Sequence, residues 1–136
     1  REDQWEYAAR GGKDLKYAWG SKEDSGKGNN EETKIGRSSA AGVFKKGKAF
    51  GLYDMSGNVW EWTASRWGQD VMNSSFDYGG DYLNNRLVQN DPNPIEFRMI
   101  RGGSWINTAD FCRCAFRFRR HPDFRFNGLG FRLVCL

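Results

Sequence analysis

A chain of 136 residues, 38% hydrophobic and 28% charged, falls in the size range of one domain, so one core is expected rather than two. No apolar run approaches the ~20 residues of a membrane helix, and the Arg1-Glu2-Asp3 start has no signal-peptide pattern, so no direct membrane insertion is expected. The net charge of +4 is concentrated in residues 101–132, where seven arginines face only Asp110 and Asp123; with no lysine and no nucleic-acid motif there, a nucleic-acid partner is not expected.

Glu2 to Arg10 places Trp5, Ala8 and Ala9 at helical spacing with acids in the first turn, which predicts a short helix ending at Gly11-Gly12. Arg1 opens directly onto that pattern, which implies further sequence upstream. Gly20 to about Gly47 is rich in Gly, Ser, Asn, Lys and Glu and reads as a long surface loop. Gly51 to Trp62 reads as a glycine-bearing turn followed by a strand with Trp60 and Trp62 on one face. Residues 64–97 are again turn-rich, with Tyr78-Gly79-Gly80-Asp81-Tyr82, Pro92 and Pro94. Two more strands are predicted at Arg98 to Trp105 and Gly130 to Leu136. A chain with a mean hydropathy of −0.79 and 17 glycines can offset its conformational entropy only through its six Trp, five Tyr and ten Phe, which are expected to form the core. Cys112, Cys114 and Cys135 leave at least one thiol unpaired, and none stands in a zinc-type C-x-x-C spacing.

Three separated blocks carry a resemblance: Gln4-Trp5-Glu6-Tyr7-Ala8-Ala9-Arg10-Gly11-Gly12, Gly51 to Trp62, and Arg101-Gly102-Gly103-Ser104-Trp105 with Gly130-Phe131-Arg132. Their order and separation resemble the formylglycine-generating-enzyme, or sulfatase-modifying, domains. The resemblance implies an α+β C-type-lectin-like fold, loop-rich with short strands and few helices. Residues 1–136 would be the C-terminal portion of a single such domain. The block residues have a scaffold reading of their own: glycines permit close approach or positive φ, and the Arg101 and Arg132 forks can hold carbonyls or carboxylates.

Members that make formylglycine resemble oxidases in which two cysteines, five positions apart after R-G-G-S-[WY], bind copper. Here Cys112 occupies the second of those positions, but the first is Asn107. An amide cannot replace a thiolate ligand to Cu(I), so neither copper nor oxidase activity is expected. A Ser104, His121 and Asp123 triad can be written down, but no nucleophile-elbow glycines surround Ser104. The resemblance also implies a structural calcium held by the side chains of Asp54 and Glu61 and the carbonyls of Gly57 and Val59, hard oxygen ligands suited to that ion. The alternative is that Asp54 caps the turn and Glu61 is a strand-surface acid.

Residues 106–128 contain no Lys, Glu, Gln, Met or Trp, although the rest of the chain uses all five. The frame from Arg101-Gly102-Gly103-Ser104-Trp105 through Cys112-Arg113, Pro122-Asp123 and Gly130-Phe131-Arg132 resembles the variable proteins of diversity-generating retroelements. In those, adenines of asparagine codons are randomised, and AAC codons changed only at adenine never give the five missing residues. The resemblance implies diversified, ligand-binding positions at Ile106, Thr108, Asp110, Phe111, Cys114, Phe116, Phe118, Arg120, His121, Phe124 and Phe126, with Asn107, Asn127 and Gly128 as further candidates. Arg117, Arg119 and Arg125 belong to the fixed frame. Period-two spacing alone would bury Phe116/Phe118 and Phe124/Phe126 on strand faces. The resemblance reverses this and puts them on an exposed face like an antibody paratope.

The expected function is therefore a massively variable ligand-binding protein at a cell surface or in the extracellular space, with a protein or polypeptide partner. A sulfatase-modifying oxidase or degenerate relative is the alternative, and a sensor domain of a larger signalling protein is a third.

Overall fold

The computed structural model describes residues 1–45, 50–67 and 97–133. The turn-rich stretch 68–96 and Cys135 lie outside the described residues. The order of elements is helix α1 (Glu2–Arg10), a 3-10 turn (Glu31–Thr33), β1 (Trp60–Arg66), β2 (Arg98–Arg101), a second 3-10 turn (Ala109–Cys112), β3 (Arg117–Arg120) and β4 (Leu129–Gly130).

Helix α1 has the predicted bounds. The Arg1 backbone nitrogen donates to Gln4 Oε1, and Glu2 and Asp3 sit where the helix dipole favours acids. At the other end Gly11 adopts φ 62 and its amide turns back to Ala8 O. The helix buries Trp5 and Ala9, which join Ala18, Met55 and Cys114 in a hydrophobic cluster.

The sheet runs β3-β2-β1-β4. β1 and β2 are antiparallel with Trp62 opposite Ile100, β2 and β3 are antiparallel with Ile100 opposite Phe118, and β4 joins β1 in parallel with Leu129 opposite Trp60. The strand expected over Arg98 to Trp105 stops at Arg101 because Gly102 and Gly103 take φ values of 99 and 71, incompatible with extended backbone. A Cβ on Gly103 would stand 2.7 Å from Cys112 Sγ, so the glycine lets the turn after β2 close against that thiol. Of the expected final strand, Gly130 pairs in β4 (Leu129–Gly130), residues 131–133 carry no strand, and 134–136 lie outside the described residues.

Two expectations change. The aromatic residues do not simply form the core: Trp5, Tyr17 and Trp60 are buried, but Tyr7, Phe50, Phe97, Phe111, Phe124 and Phe131 are exposed. The segment after Gly20 is not wholly a surface loop, because Asn29 and Asn30 are buried. Asn29 O accepts the Asn58 amide at 2.6 Å, while its Nδ2 donates to Arg37 O at 2.9 Å. The Glu31 amide reaches Asn107 O at 2.9 Å, tying this segment to the turn after β2. Long-range backbone bonds and the Asn29 side-chain amide satisfy the buried backbone here in place of a strand ladder.

Candidate functional site

The sheet and the segment after it enclose an open cavity of about 270 Å³. Trp60 from β1 and Ile100 from β2, both buried, and Leu129 from β4 form its floor. Ile106, Phe111, Phe118, Arg120, Phe124 and Phe126 form the walls. Six of the expected ligand-binding positions thus line one cavity, brought together from a 3-10 turn, a strand and a loop. Phe116 packs beside it, its ring 4.9 Å from Phe111 and 6.1 Å from Trp60. Phe118 lies 5.6 Å from Trp60, and Phe124 lies 6.4 Å from Phe126.

The rings are neither core nor fully displayed. Ile106 is 49% exposed and Phe111 and Phe124 are 37% exposed, whereas Phe116 and Phe118 are half-buried against each other and Trp60, and Phe126 is half-buried beside Phe124. The expectation of a freely exposed aromatic face is corrected to that of a cavity wall. Thr108 and Asp110 are exposed on the 3-10 turn beside it. His121 contacts Asp123 and meets Phe97 edge-on rather than lining the cavity.

Cys114 is the clear correction. It is fully buried, its amide donates to Lys16 O at 2.8 Å, and its side chain belongs to the cluster under α1. A residue there faces Trp5 and Met55 rather than a ligand, because Cys112 and Cys114 precede β3 in a turn whose backbone turns the Cys114 side chain inward. Both thiols are free. Burial pushes the Cys112 thiol up to about 12 and the Cys114 thiol up to about 11, so both are neutral at ordinary pH.

Asn107 has a definite task. Its Oδ1 accepts from Trp60 Nε1 at 2.8 Å, from Ser104 Oγ at 2.7 Å and from the Ser104 amide at 3.2 Å. It fixes the indole at the cavity floor, and it commits the Ser104 hydroxyl. Ser104 is buried, so the triad with His121 and Asp123 is not assembled.

Arginines upstream and downstream of the cavity hold the scaffold. Arg101, fully buried, ion-pairs with Glu6 of α1 and donates to the carbonyls of Cys114, Ala115 and Phe116 at 2.8, 3.2 and 3.0 Å. Arg117 forms a two-point contact with Glu2. Arg119 turns to the face opposite Phe118, over the rings of Trp67 and Phe97. Arg120 lies on the cavity face, its guanidinium carbon 4.3 Å from the Phe118 centroid and 4.9 Å from that of Phe124.

The expected calcium ligands are arranged differently from the expectation. Glu61 accepts Trp5 Nε1 at 2.7 Å and Arg132 Nε at 2.7 Å through Oε2, and Arg132 Nη2 through Oε1. Burial alone would lower the Arg132 pKa, but the hydrogen bond and charge of Glu61 outweigh it and raise it. Asp54, at φ 57, accepts the Gly42 amide at 2.8 Å through Oδ2, and its Oδ1 is buried with no hydrogen-bond partner among the described residues. The Gly57 amide donates to Gly102 O at 2.7 Å, and Val59 packs near Gly130. A guanidinium fork therefore sits on the Glu61 carboxylate, which as arranged is an ion-pair partner of Arg132 rather than a free cation ligand. Among the described residues no group of three or more His, Cys, Asp or Glu converges as a metal site.

Sequence reading missed Ile100 and Leu129 as parts of the site and took Trp60 for scaffold, whereas Asn107, a further candidate position, does line it. The alternation of Trp60 and Trp62 was the available signal for Trp60; none pointed to Leu129, which arrives through the parallel pairing of β4.

Comparison with known proteins decides the lineage of this arrangement. The model of the sulfatase-modifying factor enzyme 1-like domain matches residues 1–135. The chain belongs to this family. An inactive C-alpha-formylglycine-generating enzyme 2 of Mus musculus is 33% identical, matching 96% of this chain and 40% of its own length. The formylglycine-generating enzyme of Mycobacterium tuberculosis is 30% identical over 98% of this chain and 49% of its own. Among solved structures, Treponema denticola variable protein 1 superposes with a TM-score of 0.72 at 26% identity, covering 96% of this chain and 44% of that one. The chain spans less than half the length of each. It has the family's C-type-lectin-like fold, loop-rich with short strands and few helices. Sulfatase-modifying relatives thus include both a protein named inactive and one named as an enzyme, so family membership alone does not assign a reaction.

Proposed function

We propose that this domain binds a ligand in the aromatic cavity over Trp60 and does not oxidise cysteine. The observation that carries the reading is that Ile106, Phe111, Phe118, Arg120, Phe124 and Phe126 all line that one cavity, although they come from different elements. Enclosed rings with a polar rim are the usual construction of a recognition site, because burying aromatic surface supplies most of the binding energy. The family's copper chemistry needs two thiolates, but Asn107 is engaged as a triple acceptor and Cys112 is buried and neutral. No catalytic step is built on these residues.

The finer reading is a variable protein diversified by a retroelement, displayed at a cell surface or outside the cell toward a protein or polypeptide. It is supported by the likeness to the Treponema protein and by the lack of Lys, Glu, Gln, Met and Trp in residues 106–128. Cys114, though in that window, is a core position and is excluded from the binding set. Two measurements test the reading. Incubation of the chain with Cu(I), oxygen and a cysteine-containing sulfatase peptide is expected to give no aldehyde; conversion at catalytic turnover would overturn it. A near-copy of the coding sequence for 106–128 with asparagine codons, beside a reverse-transcriptase reading frame, is expected in the genome, and its lack would remove the retroelement part.

A further inference from the structure

The charge of the 101–132 segment is not spread evenly over its arginines. Arg101, Arg117 and Arg132 are neutralised by Glu6, Glu2 and Glu61, all from upstream, and Arg113 lies 3.8 Å from Asp110. His121 and Asp123 contact each other. Among the described residues Arg119, Arg120 and Arg125 have no carboxylate partner; Arg120 and Arg125 donate only to nearby backbone carbonyls. Arg119 faces the opposite side of the sheet, which leaves Arg120 as the uncompensated cation that lines the cavity. Arg120 is held there by stacking over Phe118 and Phe124, with most of its donors unused.

We infer that the cavity takes one aromatic side chain of an acidic polypeptide segment, with Arg120 pairing a carboxylate next to that side chain. This rests on the ligand-binding reading and specifies its partner. A cavity of about 270 Å³ exceeds the roughly 150 Å³ that admits benzene, and so it accommodates a single ring with its methylene. The tilted rings of Phe118, Phe124 and Phe126 offer faces and edges for such a guest. Inside, Asn107 is the polar lining residue, and its Oδ1 is already taken by three donors. The site therefore selects an apolar ring, and the charge selection falls to the rim. One uncompensated lining cation suits a carboxylate and is too few to track a phosphate backbone, which favours an acidic peptide over single-stranded nucleic acid.

The test titrates the full chain with capped pentapeptides DEWED, DEAED and KKWKK and with a ten-nucleotide oligothymidylate, following the assigned Trp60 indole N–H resonance. DEWED is expected to shift it saturably, and DEAED and KKWKK to bind about tenfold more weakly or worse, DEAED for want of the buried ring and KKWKK for want of one charged hydrogen-bonded contact. Arg120→Gln is expected to remove most of the preference for DEWED over KKWKK, and Arg120→Lys to restore part of it. Rising salt should weaken DEWED binding by the wild-type chain, an arm that needs no variant. Equal binding of DEWED and KKWKK overturns the inference while ligand binding stands. Tighter binding of oligothymidylate overturns it in favour of nucleic acid. Failure of both tryptophan peptides overturns it as well, and the copper and oxygen assay then shows whether the ligand-binding reading falls with it.

Discussion

Asn107 Oδ1 accepts the indole N–H of Trp60 at 2.8 Å, so the position expected to lack a metal-binding thiolate instead holds the floor of the aromatic cavity. The same oxygen takes the Ser104 hydroxyl and amide, which secures the turn after β2. Asparagine fits because one carbonyl oxygen can receive several donors that converge in plane. Binding floor and turn are thus linked through one side chain.

Replacing Asn107 with Ala removes an acceptor from three donors, one of them on the buried Trp60. A loss of about 1–3 kcal/mol is expected, the cost of leaving buried donors unsatisfied. Denaturant melts measure it, and the Trp60 indole resonance should move in the same variant. Unchanged stability would mean that the three contacts carry no weight.

Truncation of the cavity rings separates wall from core. A fully buried Phe→Ala change costs about 3–5 kcal/mol, so the half-buried Phe118 is expected to cost less, about 1–2 kcal/mol, and the 37% exposed Phe124 to change stability by about 0.5 kcal/mol or less. Replacing Phe116, Phe118, Phe124 and Phe126 together by asparagine should lower the melting temperature but leave a cooperative transition. Loss of cooperative folding would place these rings in the core.

Glu61 is buried between Trp5 and Arg132, and removing the arginine leaves its carboxylate without a counterion. Arg132→Met is expected to cost about 3–5 kcal/mol, the penalty of breaking a buried pair. With Arg132 in place, saturating calcium and chelator should give the same melting temperature. A calcium-dependent rise would show that the ion displaces the guanidinium.

The two buried thiols give a pH signature. Their folded-state pKa values, about 12 for Cys112 and about 11 for Cys114, lie above the ordinary thiol value of about 8.5. The folded chain therefore keeps protons that the unfolded chain releases. Their contribution to stability is fully present below about pH 8.5 and is lost as pH rises toward 11 and 12. In a Cys135→Ser background, thiol labelling at pH 8 should proceed only at the rate of unfolding. Rapid labelling of the native protein would show that one of the thiols is accessible as thiolate.

Much of the scaffold is legible in the chain itself. The spacing of Trp5, Ala8 and Ala9 with a terminal glycine marks α1 to the residue, since helix periodicity and capping are local properties. The three motif blocks point to the family because their glycines and arginines answer backbone demands that recur wherever this fold is built. Residues 106–128 likewise stand out by composition alone. What composition and spacing could not decide is direction. Cys114 reads as a displayed position, yet it is buried, because Arg101 gathers the carbonyls of residues 114–116 and turns that backbone inward. Phe118 reads equally as core or display; its pairing with Ile100 across β2 and its contact with Trp60 make it a cavity wall. Seven arginines in sequence look like one basic patch, but glutamates contributed from α1 and β1, far away along the chain, neutralise three of them. Which charges and which rings remain for a partner is set by long-range pairing, and only the tertiary structure brings those pairs together.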